Sequence, residues 1–431
     1  MKLHLKGGRV IDPATRTDRV QDVFIANGQI AAFEQASADF TADRTIDVKG
    51  LVVAPGLVDL AARKVTAASE AAAALAGGVT RVVCPPDTDP VLDEPDLVEM
   101  LQLRAQAMHH AQVHPLGALT VGLGGKELTE MAQLTSAGCI GLSQANAPIA
   151  DNRTLLRALQ YAGTFGLTVW LRAQDAALAA GGVAASGAVA SRLGLAGIPV
   201  AAETIALHTI LELVRVTGTR VHLCRLSSAA GVALVRAAKA EGLPITCDVA
   251  AHHLHLTDMD IGYFDAQYRL DPPLRGQRDR EAIRDAARDG TIDAICSDHT
   301  PLAADARLVP FAEAEPGATG LELLLSLVLK WADEARVPLI DALARVTHGP
   351  AQRLDNAGGP ARSGIGIAGA GRLAVGVPAD LCVFEPSAYW TVSPALLRSA
   401  GHNTPFLGYE LPGRVRLTLV GGHVAHETLA V

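Results

Sequence analysis

At 431 residues the chain exceeds one ordinary hydrophobic core, so a barrel-sized domain with a smaller companion is expected. With 49% apolar and 19% charged residues it folds rather than stays disordered. The net charge of −8, with 37 scattered basic residues outnumbered by 45 acidic ones, argues against nucleic acid. No apolar run reaches membrane length and MKLHLKGGRV lacks a secretory h-region, so a cytoplasmic protein with no membrane partner is expected.

Near the N-terminal end, LHLKGGRVI and DVFIANGQIAAF alternate apolar and polar residues around Gly-Gly and Asn-Gly, the pattern of hairpins. The same style returns in ADLCVFEP and VRLTLVGGHVAHE. Residues 1–50 and 365–431 are therefore expected to form one small composite β-sandwich domain.

Between them, residues 51–364 alternate short apolar runs with helical segments, as βα units of a parallel sheet do. Eight runs qualify as strands: Leu51 to Leu60, Val79 to Cys84, His114 to Val121, Cys139 to Ser143, Leu167 to Leu171, Arg220 to Cys224, Pro244 to Val249 and Ile292 to Cys296. Eight closes a (β/α)8 TIM barrel, so the fold class is α/β. Helices fit the gaps, over Ala67 to Ala76, Asp151 to Tyr161, Thr204 to Val216, Ala229 to Ala240 and Arg278 to Ala287, with a longer helical region after Gly320. AAGGVAASGAVASRLGLAGIP, between the fifth and sixth strands, reads as a long loop. The six cysteines fall singly inside apolar runs, as buried reduced thiols do.

In a parallel barrel, chemistry sits at the C-terminal strand ends, where a hydrolytic metal needs three or four converging His, Asp, Glu or modified Lys ligands. Here the first strand is followed by Ala61 and Arg63, the fourth by Gln144 and Asn146, the fifth by Arg172 and the sixth by Arg225. A guanidinium has no acceptor and stays charged. Two unit charges about 4 Å apart interact by roughly 4 kcal/mol at an effective dielectric of 20, and a dication doubles that. Three such groups argue that no metal binds there.

Other donors remain, namely His252 and His253 after the seventh strand and Asp298 with His299 after the eighth. They are open to two readings: a residual metal or proton-transfer site, or Asp298 paired with the inward arginines and the histidines packed or solvated. GLGGK lacks P-loop spacing, IAGAGRLAVG follows no βαβ unit, and no Gly-x-Ser-x-Gly elbow occurs.

The segments GGRVIDPATRTDRVQDVFIANGQIAAF, VVAPGLVDL, AGGVTRVVCPPDTDP, HLCRLSSAAGVALVRAAKAEGLPITCDVAAHHLHLTD, LDPPLRGQRDREAIRDAARDGTIDAICSDHTP and GHNTPFLGYELPGRVRLTLVGGHV resemble dihydroorotases of the amidohydrolase superfamily over nearly the whole chain. The resemblance implies a barrel with a composite β domain and zinc-dependent cyclisation of carbamoyl aspartate. It also implies His-x-His where this chain has Ala61 and Arg63, a bridging Asp or modified Lys near Gln144, and His at Arg172 and Arg225. The family's Arg-Glu-Pro-Gly is missing, and its Asn residues are replaced by Asp87 and by Asp271 before the Pro-Pro-Leu-Arg that ends at Arg275. Of the implied metal-site residues only Asp298 persists, with His299 beside it. No cofactor is therefore expected.

The family includes inactive dihydroorotase-like chains that hold aspartate carbamoyltransferase in a larger assembly, and this sequence resembles those. The resemblance implies a non-catalytic subunit, homo-oligomeric within that complex. Two alternatives stay open: an amidohydrolase rebuilt around Asp298, His252, His253 and Asp59, and an anion sensor using Arg63, Arg172, Arg225 and Arg275.

Overall fold

The computed structural model describes residues 1–106, 111–149, 151–355 and 369–429. Strands β1 (Leu3–Asp12), β2 (Thr17–Ala26), β3 (Gln29–Phe33), β4 (Arg44–Asp47) and β5 (Val52–Pro55) come first. Then follow β6 (Leu57–Asp59), β7 (Val79–Cys84), β8 (Gln112–Pro115), β9 (Gly117–Ala118), β10 (Leu142–Ser143) and β11 (Val169–Arg172). After them lie β12 (Ala184–Ala185), β13 (Gly197–Ile198), β14 (Val221–Cys224), β15 (Ile245–Ala250), β16 (Ala294–Cys296), β17 (Leu381–Thr391), β18 (Glu410–Val420) and β19 (His423–Glu427).

Strands from the two chain ends share one mixed sheet in the order β19-β18-β17-β5-β1-β2-β3, with β4 also on β1. The joint is β5, parallel to β1 and antiparallel to β17. Leu3, Leu5, Val10, Val53, Leu381 and Leu417 pack into its core. The single strand expected over Leu51 to Leu60 therefore divides, β5 joining this sheet while β6 pairs with β7. Gly56 marks the break, since a Cβ there would lie 2.2 Å from the Thr80 hydroxyl.

Among the described residues the interior of the chain forms two larger parallel sheets, β6-β7-β8 and β16-β15-β14-β11-β10-β9, besides the two-stranded β12-β13. They adjoin where β8 and β9 meet at Leu116, whose N–H donates to the Cys84 carbonyl at 2.9 Å. At the other seam the ladder does not close. The β6 and β16 ends share one bridge, Ala62 to His299, while the Val58 and Ile295 N–H groups donate to the carbonyls of Val346 and Arg345. Those two residues stand where strand pairing would have continued.

Side chains such as Val58, Val83, Trp170, Ala250 and Cys296 fill the inside of the sheets, and Leu57, Val82, Leu223 and Val249 pack outward. Burial on both faces explains why these strands read as continuous apolar runs. Helices occur over Ala68–Ala76, Asn152–Thr164, Val200–Thr217, Ala229–Glu241, Gln277–Asp289 and Leu324–Glu334. Asp151 and Ser228 cap two of them by accepting the N–H of Arg153 and Gly231. The Ala- and Gly-rich stretch expected as loop instead holds the parallel pair β12/β13 and a helix at Ala188–Leu193. Among the described residues no helix is long and apolar enough to cross a membrane.

Candidate functional site

Residues at or beyond the ends of seven parallel strands, β6, β7, β10, β11, β14, β15 and β16, converge on a set of paired charges. Arg225 follows β14 with φ +54°, and Asp298 follows β16 with φ +49°. This left-handed backbone, uncommon outside glycine, breaks strand alternation at both residues. The Asp248 carboxylate holds the first bend by accepting the Arg225 N–H at 2.7 Å.

The Arg225 Nη1 donates to Asp298 Oδ1 at 2.9 Å, and its Nη2 donates to the side-chain amide oxygen Oδ1 of Asn146. Arg63 donates through Nε to Asp87 at 2.9 Å and through Nη1 to the Thr300 hydroxyl at 3.2 Å, with Asp298 Oδ1 at 3.5 Å. Arg172 grips both carboxylate oxygens of Asp271 and also donates to Gln174. The Asn146 amide reaches Asp271 at 3.5 Å and so links the two halves. Three guanidiniums thus meet three carboxylates, and the formal charge of the cluster is zero.

The pairing governs protonation. Burial is the largest single influence on Arg225 and works against its charge, but Asp298, Asp271 and other acidic neighbours together outweigh it, and the group holds its proton more tightly than a free arginine. Burial likewise favours neutral Asp271, yet the charge and hydrogen bonds of Arg172 keep its carboxyl below the usual carboxylate range. His252 is pushed down to about 3 by burial and then by Arg225. His253 falls far below its ordinary value through burial and then His252. Both rings are neutral near pH 7 and pack against each other at a tilt of 41°, centroids 4.6 Å apart.

Several residues singled out in the sequence lie elsewhere. Gln144 turns away from the cluster, accepting from the Thr120 hydroxyl at 3.0 Å and donating to the Leu123 carbonyl at 2.8 Å. Ala61 presents only a methyl to the inner core. The His299 side chain does not join that of Asp298: its Nε2 donates to Glu70 at 2.8 Å, while Nδ1 accepts from the Gly320 N–H at 3.1 Å. Burial pushes the Glu70 carboxyl up, but hydrogen bonds from His299 and Ser399 bring it down to about 2. Asp59 is likewise spent at the β6/β16 seam, accepting from the Ser297 N–H at 2.8 Å and from the Ser297 hydroxyl, and burial raises it to about 7.

Arg275 is parted from the other three arginines, donating to the Ser227 hydroxyl at 2.8 Å and the Ile198 carbonyl at 3.5 Å. Sequence reasoning missed the carboxylate behind that contact. Buried Glu203 accepts the N–H and hydroxyl of both Ser227 and Ser228. It also missed Asn146 as a link, because an Asn in a polar loop carries no distinguishing signal.

The zinc that the family resemblance implies does not fit these positions. Ala61 has no donor, Gln144 is committed elsewhere, and the guanidiniums of Arg63, Arg172 and Arg225 offer no lone pair. Among the described residues one other group, His222, Cys224 and Asp248, brings donor atoms within 4.8 Å of one another. There both imidazole nitrogens are already engaged, with Thr246 at 2.8 Å and Asp248 at 2.9 Å. Beside Arg172 and Asn146 a cavity of about 520 Å³ opens, walled by Ile149, Leu155, Ile205 and Ile210.

Comparison with known proteins agrees with this scaffold. The "Dihydro-orotase-like" family model matches residues 50–230. A "Dihydroorotase-like protein" of Pseudomonas aeruginosa strain PAO1 is 47% identical, covering 99% of this chain and 100% of its own length. A "Dihydroorotase" of Anaeromyxobacter dehalogenans strain 2CP-1 is 40% identical, covering 99% and 98%. Among solved structures, the L-hydantoinase (dihydropyrimidinase) of Arthrobacter aurescens superimposes with a TM-score of 0.85 at 23% identity, covering 99% of this chain and 96% of that one. That structure matches in fold, and the full-length relatives place the chain in the dihydroorotase-like family.

Proposed function

We propose that this chain is a non-catalytic dihydroorotase-like subunit, cytoplasmic, that supports assembly of aspartate carbamoyltransferase in pyrimidine biosynthesis. Its two parallel sheets are read as the eight strands of a (β/α)8 barrel opened at the β6/β16 seam. The observation that carries the reading is the matched replacement at the strand ends. Of the four histidines that the family resemblance implies, one is Ala61 and three are Arg63, Arg172 and Arg225, and where it implies two asparagines stand Asp87 and Asp271, each paired with one of those arginines. Random decay would scatter unpaired charges, whereas every charge here has a partner, and a buried unpaired charge is costly.

The same closure weighs against the anion-sensor reading, since a carboxylate or phosphate would have to displace an aspartate from each guanidinium. The enzymatic alternative draws on relatives named dihydroorotase and on neutral His252 and His253. Metal content of the purified chain, measured by plasma mass spectrometry with a dihydroorotase assay on the same sample, separates them. Absence of stoichiometric metal and of turnover, with a stable complex on co-expression with aspartate carbamoyltransferase, is the expected result. Stoichiometric zinc with turnover would overturn the proposal.

A further inference from the structure

The loops after β15 and β16 place five large apolar side chains in solvent. Met259, Tyr263 and Phe264 are 59%, 90% and 39% exposed, and Leu308 and Val309 are 83% and 39% exposed. Exposed apolar residues scattered singly need no explanation, but five on two adjoining loops do.

The loops are tied into one rigid surface. Buried Arg307 donates to the carbonyls of Ala266 and Gly317 and, at 3.3 Å, to that of Arg269. Ile261 of one loop and Phe311 of the other share a buried cluster. Thr257 and Asp260 form a reciprocal capping box that fixes the turn leading to the aromatic pair. Phe264 has φ +61°, unfavourable for a bulky residue, and its ring meets that of Tyr263 edge-on, centroids 5.4 Å apart. The backbone is held in an unfavourable conformation at a residue that keeps 39% of its surface in solvent, beside a tyrosine that keeps 90%. Such local strain clusters at sites of recognition.

Charge indicates what would cover it. Over residues 258–268 and 303–316 the exposed charged side chains are all carboxylates, including Asp265, Asp305, Glu313 and Glu315, while Arg307 is buried and bonded inward. A second copy of this surface would bring two acidic rims together, which is unfavourable. We propose that this acidic, aromatic-tipped knob docks on a protein partner whose apolar cleft is flanked by Lys and Arg. The inference rests on the assembly reading above, with Tyr263 as the central anchor, as buried tyrosines commonly are.

The test is a titration of the full chain against aspartate carbamoyltransferase, followed by sedimentation velocity at low and high salt. Tyr263→Ala is expected to weaken the complex about 30-fold or more. Phe264→Gly is expected to weaken it roughly tenfold while the melting temperature holds or rises, because glycine accepts the positive φ. Asp265→Lys with Asp305→Lys should slow association and flatten its salt dependence, whereas Tyr389→Ala, on β17 far along the chain and 61% exposed, should change nothing. A wild-type complex that all knob variants retain within about twofold overturns the docking surface alone. No wild-type complex overturns the assembly reading and the surface with it, and concentration-dependent self-association abolished by Tyr263→Ala overturns the heterologous partner in favour of a second copy.

Discussion

Adjacent residues Asp298 and His299 anchor two buried polar regions of opposite character. Asp298 belongs to the cluster over the strand ends, where long charged side chains from separate loops neutralise one another. His299 belongs to the β6/β16 seam, where His299, Glu70, Asp59 and Ser297 bond largely to backbone N–H groups that strand pairing leaves open. The seam satisfies obligatory backbone donors. The cluster satisfies only itself, so it is the region that could be rebuilt wholesale without disturbing the fold.

The largest effect should come from breaking the cluster asymmetrically. Arg225 and Asp298 are each 5% exposed at the side chain. Arg225→Met leaves Asp298 buried with Arg63 3.5 Å away, and should lower unfolding stability by about 3–5 kcal/mol. Arg225→Met with Asp298→Leu should regain most of that loss, since an apolar pair of similar volume is often neutral or better. Urea midpoints of the single and double variants check both. A double variant as unstable as the single would mean that the cluster has a structural duty of its own.

At the seam, removal of one member strands backbone groups that no second substitution can restore. His299→Ala unpairs the Gly320 N–H and takes a donor from Glu70, and is expected to lower stability by about 2–3 kcal/mol. The effect depends on pH with a defined sign. Because the Glu70 carboxyl is lowered to about 2, its contribution is complete above its ordinary value of 4.5 and is lost as the pH falls towards 2. In His299→Ala the acid unfolding limb should therefore move to higher pH. An unmoved limb would show that Ser399 and the Ala400 N–H hold Glu70 down without the histidine.

This contrast also marks what the sequence makes legible. Runs such as VTRVVC and ITCDVA announce strands because burial on both faces demands apolar residues throughout. The loss of metal donors is equally visible, since Ala61 and three arginines cannot ligate whatever their geometry. The pairing of Arg172 with Asp271, 99 residues away, is not visible, because charge complementarity between loops leaves no local pattern. Nor is the departure of His299 to the seam, which follows from the left-handed bend at Asp298 rather than from spacing. The division at Gly56 could have been anticipated from Pro-Gly, but a continuous apolar run masked the change of sheet.

The smallest expected effect tests whether the cluster acts as a unit. Arg63 sits at its rim, 15% exposed, opposite Asp87 at 26%. There water screens the charges, so Arg63→Met should lower stability by about 1 kcal/mol or less. Added salt should shrink that difference further, since screening acts most on exposed pairs. The decrease from Arg225 at the centre to Arg63 at the rim is what pairwise interactions graded by burial predict. A loss at Arg63 as large as that at Arg225 would require the carboxylate they share, Asp298, to couple the two guanidiniums, so that the rim and the centre break together.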